Sequence, residues 1–176
     1  MLLEKSFGIV PLRKKNFEKP ADEPVLEGQD LKRLAESCGA DRKTIGTLVF
    51  QKEKQLWEVF LVQKAQGHIG FPKGHPLKGE RPEITAEREL FEETGLKVEN
   101  YLSPDPLVEN YTFQRDGKKV LKTVGYYLAE VQGKVVLDSS EIVDGFWVPV
   151  EEMSVKISFE QGKELAAKAL SFLQNI

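Results

Sequence analysis

The residues best suited to chemistry crowd between Gly74 and Leu96, where GHPLKGERPEITAERELFEETGL places Glu80, Arg88, Glu89, Glu92 and Glu93 within one short segment. Pro82 suits a first helical turn, because the N–H it lacks has no partner there, and Gly95 suits the position just past a helix end. The segment therefore predicts a helix over Pro82 to Thr94. With Ile84 at the origin and about 100° per residue, Glu92, Glu89 and Glu93 fall near 80°, 140° and 180°, and Ala86, Leu90 and Phe91 fall between about 200° and 340°. Three carboxylates thus share one flank and the apolar residues the other. Clustered like charges cost an isolated helix a few tenths of a kcal/mol per pair, and a bound cation reverses that sign. Hard divalent ions such as Mg²⁺ take carboxylate oxygens and keep waters or phosphates as their remaining ligands. Such a site can neutralise phosphate oxygens and lower the pKa of a water that a carboxylate then deprotonates. The competing reading is a solvated acidic face, and Glu87, near 300°, is a glutamate off the cluster.

The same segment matches G-x5-E-x7-R-E-U-x-E-E-x-G-U, with U aliphatic, at every fixed position, and so resembles the Nudix box. The resemblance implies an α/β Nudix fold, an α/β/α sandwich around a mixed central β-sheet. It makes Glu89, Glu92 and Glu93 metal ligands for Mg²⁺ or Mn²⁺, with Glu93 the leading candidate for general base. Arg88 is expected to pair with Glu80, tying loop to helix and orienting the ligands. Just upstream, GHIGFPKGH (Gly67 to His75) is similar to the W-G-F-P-K-G-H or W-x-P-P-K-G-H stretch of asymmetric bis(5′-nucleosyl)-tetraphosphatases, the diadenosine tetraphosphate hydrolases. Ile69 stands where that family has tryptophan. Lys122 to Val131, KTVGYYLAEV, is similar to the family's K-T-V-x-Y-W-L-A-E-V strand, and SSEIVDGFWVPVEEM resembles its E-x5-W-[LV] segment. Glu141, six before Trp147, then matches a later glutamate that joins the metal site.

Carried over in the same way, His68, Lys73 and Lys122 would contact phosphate, a task for which a lysine at the mouth of an acidic metal site is well suited. Tyr126 and Tyr127 alternate in a strand, so one faces the core and the other the cleft, where a ring could stack on adenine; Tyr126 is the better match. Tyr111 is a further candidate, and His75 is assigned to loop structure alone. The implied reaction is attack by water on a phosphoanhydride of diadenosine tetraphosphate, giving ATP and AMP. Alternatives are removal of pyrophosphate from an RNA 5′ end, hydrolysis of another nucleoside-diphosphate derivative, and a sensor that binds nucleotide without turnover.

The elements that must position these groups follow from periodicity. Ser6 to Arg13 reads as a strand with Pro11 hinting at an edge or bulge. Thr44 to Gln51 and Trp57 to Gln63 read as paired strands, Leu107 to Gln114, Val120 to Val131 and Gly145 to Val150 as further strands, and Phe159 to Leu173 as an amphipathic helix. Lys14 to Asp41 reads as a polar excursion carrying one short helix with Leu26, Leu31, Leu34 and Ala35, and the shorter connection of the family it resembles makes about 16 to 54 an insertion. A second register makes Thr44 to Gln51 the family's first strand and Ser6 to Arg13 an extra one. Length and composition, 176 residues with 40% hydrophobic and 30% charged, fit one domain, 1–176. A net charge of −3 argues against a broad nucleic-acid surface, so no DNA is expected. The lone Cys38 excludes an intramolecular disulfide. Nowhere do about 18 apolar residues run together, so no membrane span is expected and the protein is expected to be cytoplasmic, with its oligomeric state open.

Overall fold

The first long strand, β1 (Leu2–Lys14), runs through the middle of the sheet rather than along its rim. The computed structural model describes residues 1–15 and 56–176; the insertion expected at about 16–54, with its helix, Cys38 and the strand Thr44 to Gln51, lies outside the described residues. In chain order the remaining elements are β2 (Trp57–Lys64), β3 (Ile69–Gly70), β4 (Lys73–Gly74), α1 (Pro82–Thr94), β5 (Lys97–Tyr101), β6 (Leu107–Arg115), β7 (Lys118–Gln132), β8 (Ile142–Pro149), a 3₁₀ turn (Val150–Glu152), α2 (Met153–Lys156) and α3 (Glu160–Leu173). The strands form one eight-stranded sheet along the path β3-β2-β1-β7-β5, with β4 on β1, β6 on β7 and β8 on β2. Among the described strands only β1 and β7 pair in parallel, from Leu2 opposite Val120 to Leu12 opposite Glu130, so the sheet is mixed.

Pro11 is therefore neither at an edge nor in a bulge, and the reason it is tolerated lies in a fork. On one side β1 pairs with β4 at Phe7 and Gly8, then with β2 from Leu12 to Lys14, leaving a gap between. Ile9 N–H points to that side, donating to the Pro72 carbonyl at 3.3 Å. By strand alternation Pro11 turns its missing N–H the same way, into the gap, where no ladder bond is lost.

Two cores follow from the alternation of side chains. On one face Val10, Leu12, Val59, Leu61, Val124 and Leu128 pack against Leu165, Ala166, Ala169 and Leu173 of α3. On the other, Ile9, Phe60, Val62, Ala129 and Val131 pack against Ala86 and Leu90 of α1. The helix-sheet-helix layering expected from the sequence is present. α1 ends at Gly95, whose φ of 72° is left-handed and whose N–H donates to Phe91 O at 2.8 Å. Its buried arc crosses both flanks of the wheel: Thr85, Ala86, Leu90, Glu93 and Thr94 are inside, whereas Phe91 is 50% exposed and Ile84, on the same side, is exposed too. Phe91 instead carries Lys97 over its ring, 5.2 Å from the centroid. Between β6 and β7 the chain turns at Asp116 and Gly117, with φ of 51° and 73°, the geometry a two-residue hairpin turn demands.

Candidate active site

The site is built where β4 passes beneath α1. Gly74 pairs with Phe7 and lies against the helix so closely that a Cβ there would stand 2.0 to 2.2 Å from the Glu89 carboxylate. Absence of a side chain at Gly74 thus makes room for Glu89. Arg88 gathers the rest. Its Nε and Nη2 donate to Glu80 Oε1 and Oε2, both at 2.9 Å, and Nη1 donates to Glu89 at 2.8 Å and Glu92 at 2.9 Å. Nη2 also reaches the His75 carbonyl at 2.9 Å. Glu80 accepts further from Leu77 N–H and Thr85 Oγ1. These donors, Arg88 foremost, hold the Glu80 carboxyl down at about 2. The loop before the helix and the helix itself are thereby locked by one bidentate pair.

Glu93 sits differently, 3% exposed at the inner side of α1. One carboxylate oxygen takes the ammonium of Lys64, and the other, Oε2, is buried with no hydrogen-bond partner among the described residues. Burial pushes its carboxyl up, and Lys64 pulls it partly back. An orphaned anionic oxygen in the interior is costly unless a cation or donor meets it. Lys64 also lies 3.9 Å from the well-exposed Glu141. Hard carboxylate oxygens on Glu89, Glu92 and Glu93 and the unmet Glu93 Oε2 suit a divalent cation, with Glu141 near. Among the described residues, no three such groups are drawn into one ligand cluster, because Arg88 and Lys64 hold them as counter-ions.

Lys64 lines a cavity of about 510 Å³ on the α3 side of the sheet, together with His68, Lys73, Glu109, Tyr111, Tyr126 and Phe159. Lys64, which pairs with Glu93, thereby brings this cavity up to that glutamate. Lys73, opposite Gly8, turns its side chain into the cavity, and burial with the neighbouring Lys122 and Lys64 charges pushes its ammonium down. A Cβ on Gly8 would meet Pro72 O at 2.3 Å and the Tyr126 ring at 2.9 Å, so that strand too is kept bare at the cavity floor. His68 stacks on Phe159 with centroids 4.5 Å apart. Tyr126 is buried edge-on to Phe71 at 5.5 Å.

Not every expected residue converges here. Tyr127 lies on the α1 face, its hydroxyl 3.3 Å from Glu83 and its ring edge-on to Tyr101, which separates it from the cavity. Burial pushes its hydroxyl up to about 12. Lys122 is buried but outside the cavity lining, 2.7 Å from His75 Nε2 and 3.5 Å from Glu4. His75, assigned only to loop structure, is therefore the lysine's partner. Lys64 and Glu109 escaped the sequence reading. Lys64 lies one residue past the expected strand end at Gln63, although alternation along WEVFLVQK places it on the face of Phe60 and Val62. Glu109 could have been found from VENYTF, where it shares a strand face with Tyr111.

The NUDIX domain family model matches residues 40–170, which takes in Thr44 to Gln51 and leaves β1 outside. MutT4 of Mycobacterium tuberculosis is 35% identical over 99 residues, 56% of this chain but 39% of its own length, so the chain spans well under half of that relative. Among solved structures, an Ap4A hydrolase binary complex from C. elegans aligns over 98% of this chain and 99% of its own, at TM-score 0.60 and 19% identity. The NUDIX domain of NrtR from Shewanella oneidensis, complexed with ADP ribose, aligns over 69% of this chain and 80% of its own, at TM-score 0.53 and 18% identity. Those likenesses are of fold. With the box residues assembled around Arg88 and the family match spanning most of its length, this chain belongs to the Nudix family.

Proposed function

We propose that this chain is a hydrolase that cleaves diadenosine tetraphosphate asymmetrically, giving ATP and AMP by attack of water. The observation that carries the reading is the buried, unpartnered Oε2 of Glu93 beside a cavity that presents Lys64 and Lys73. A carboxylate so placed can hold a water and accept its proton, and two lysines at the same cavity end can hold a polyphosphate. The dinucleotide is favoured by GHIGFPKGH and KTVGYYLAEV, which resemble the corresponding stretches of diadenosine tetraphosphate hydrolases.

Nudix hydrolases generally use divalent metal ions, and Glu89, Glu92, Glu93 and Glu141 would hold one here, with Mg²⁺ the expected ion and Mn²⁺ the alternative. Bound there, the ion would supply neutralisation of phosphate oxygens and acidification of water. The chain's own part is positional. Arg88 and Glu80 fix the entry to α1, Gly74 admits Glu89, and Glu93 takes the proton at Oε2. Lys73, already partly desolvated by its burial, meets phosphate without an ion pair among the described residues to compete. His68 reaches the same cavity, and Tyr126 forms its wall.

The purified chain, incubated with diadenosine tetraphosphate and Mg²⁺ in ¹⁸O water, is expected to give ATP and labelled AMP. Glu93→Gln, which keeps the shape and removes the base, is expected to lower kcat by about 10²- to 10⁴-fold. No turnover by the unmodified chain would sink the dinucleotide reading and direct attention to triphosphorylated RNA. Binding of metal and nucleotide without turnover would instead identify a sensor.

A further inference from the structure

Glu109 has no part in that machinery, yet it stands in the wall of the cavity. It lies on β6 opposite Val124, on the sheet face shared by Tyr111, two residues along, and by Tyr126 on β7. The Tyr126 hydroxyl hydrogen-bonds to it, and Lys73 draws it toward the charged form through space, opposing the burial that pushes its carboxyl up. Around it the lining is flat and apolar: Ile69, Phe71, Phe113 and, half exposed at the mouth, Phe159. Lysines 64 and 73 line the same cavity.

A slot with aromatic walls, a cationic region and one carboxylate has the polarity of a nucleotide. Aromatic rings take the faces of a base, and the carboxylate, an acceptor, selects bases that offer N–H donors along the edge. We propose that Glu109 is a specificity residue that accepts hydrogen bonds from the amino-bearing edge of a purine, so that the cavity takes adenine or guanine in preference to a purine lacking the amino group. The inference rests on the nucleotide reading above and adds to it the part of the substrate that the glutamates of α1 do not touch.

The test is equilibrium binding of AMP, GMP and purine riboside 5′-monophosphate to the full chain, to Glu109→Leu and to Glu109→Gln. Thermal unfolding of each variant and diadenosine tetraphosphate hydrolysis by the unmodified chain are followed in parallel. The unmodified chain is expected to bind AMP or GMP about tenfold more tightly than purine riboside 5′-monophosphate, the size of one lost hydrogen bond in a partly buried site. Glu109→Leu is expected to bring that ratio below about twofold while remaining folded, and Glu109→Gln, which keeps an acceptor oxygen, to retain a clear preference. Equal binding of the amino-bearing and amino-free nucleotides by the unmodified chain, or a ratio unchanged in Glu109→Leu, overturns the role. If hydrolysis proceeds while the ratio is flat, Glu109 loses its role and the hydrolase reading stands. If neither hydrolysis nor nucleotide binding occurs, both fall. The tighter of AMP and GMP identifies the purine.

Discussion

At the scale of residues, the site depends on two devices: a glycine that makes room and an arginine that holds. Adding a methyl group at Gly74 meets the end of the Glu89 side chain, which can swing away, so the fold survives while the carboxylate is displaced. Gly74→Ala is accordingly expected to weaken Mn²⁺ binding, read by electron paramagnetic resonance, by about 10- to 100-fold with little change in unfolding midpoint. Unchanged Mn²⁺ affinity would refute the requirement for that space. The Glu80–Arg88 pair makes a different prediction. Because the folded Glu80 carboxyl is held at about 2, below its ordinary 4.5, its contribution is complete above about pH 4.5 and is lost as pH falls toward about 2. Urea unfolding across that window should show the unmodified chain losing more stability than Glu80→Gln, and parallel curves would contradict the assignment. Much of this site was legible from residue types: the box spacing named Glu80, Arg88, Glu89, Glu92 and Glu93, and the structure brings Glu80, Glu89 and Glu92 onto the one guanidinium of Arg88. Partners supplied by distant strands were not legible. Lys64 reaches Glu93 across 29 positions and Lys122 reaches His75 across 47, separations over which no local period carries information.

At the scale of elements, α1 carries the glutamates only as well as its apolar stripe holds it to the sheet. Leu90 is fully buried among Ile9, Phe60 and Tyr127, and Leu90→Ala should cost about 2 to 5 kcal/mol by chemical denaturation. A loss below about 1 kcal/mol would mean that the helix is held mainly by the Arg88 network instead. The helix bounds were readable because Pro82 and Gly95 punctuate them chemically. The two flanks do not coincide with inside and outside, because residue type alone does not report burial: Phe91 is half exposed, and Glu93 is inside. The long strands announced themselves by β-branched and aromatic content, whereas β3, β4 and β5 did not. Two of these span only two residues each, and KVENY of β5 is mostly polar and exposed, so tertiary pairing alone defines them.

At the scale of the whole molecule, the cavity is closed by both layers, since strands β2, β6 and β7 supply one side and the stretch from Ile157 to Gly162, leading into α3, supplies another. A ligand bound there bridges sheet and helix. With AMP and Mg²⁺ at about a hundred times the apparent Kd, stability should rise by about 2.7 kcal/mol. Calorimetry should then record an unfolding midpoint higher by roughly 5 to 10 °C. No shift at millimolar nucleotide would mean that the folded chain does not bind it, against the reading. The parallel pairing of β1 with β7 carries a consequence for how the chain reaches this state. Partners such as Glu4 and Lys122 are 118 positions apart, so the parallel ladder of β1 can close only when a strand far along the chain has come back to it. Such distant pairing is entropically late and slow, and until it forms the apolar run of Ile9, Val10 and Leu12 is open to wrong partners. Refolding should therefore be rate-limited by the docking of β7 on β1, and unpaired β1 is where the unfolded chain offers a long apolar strand to hold.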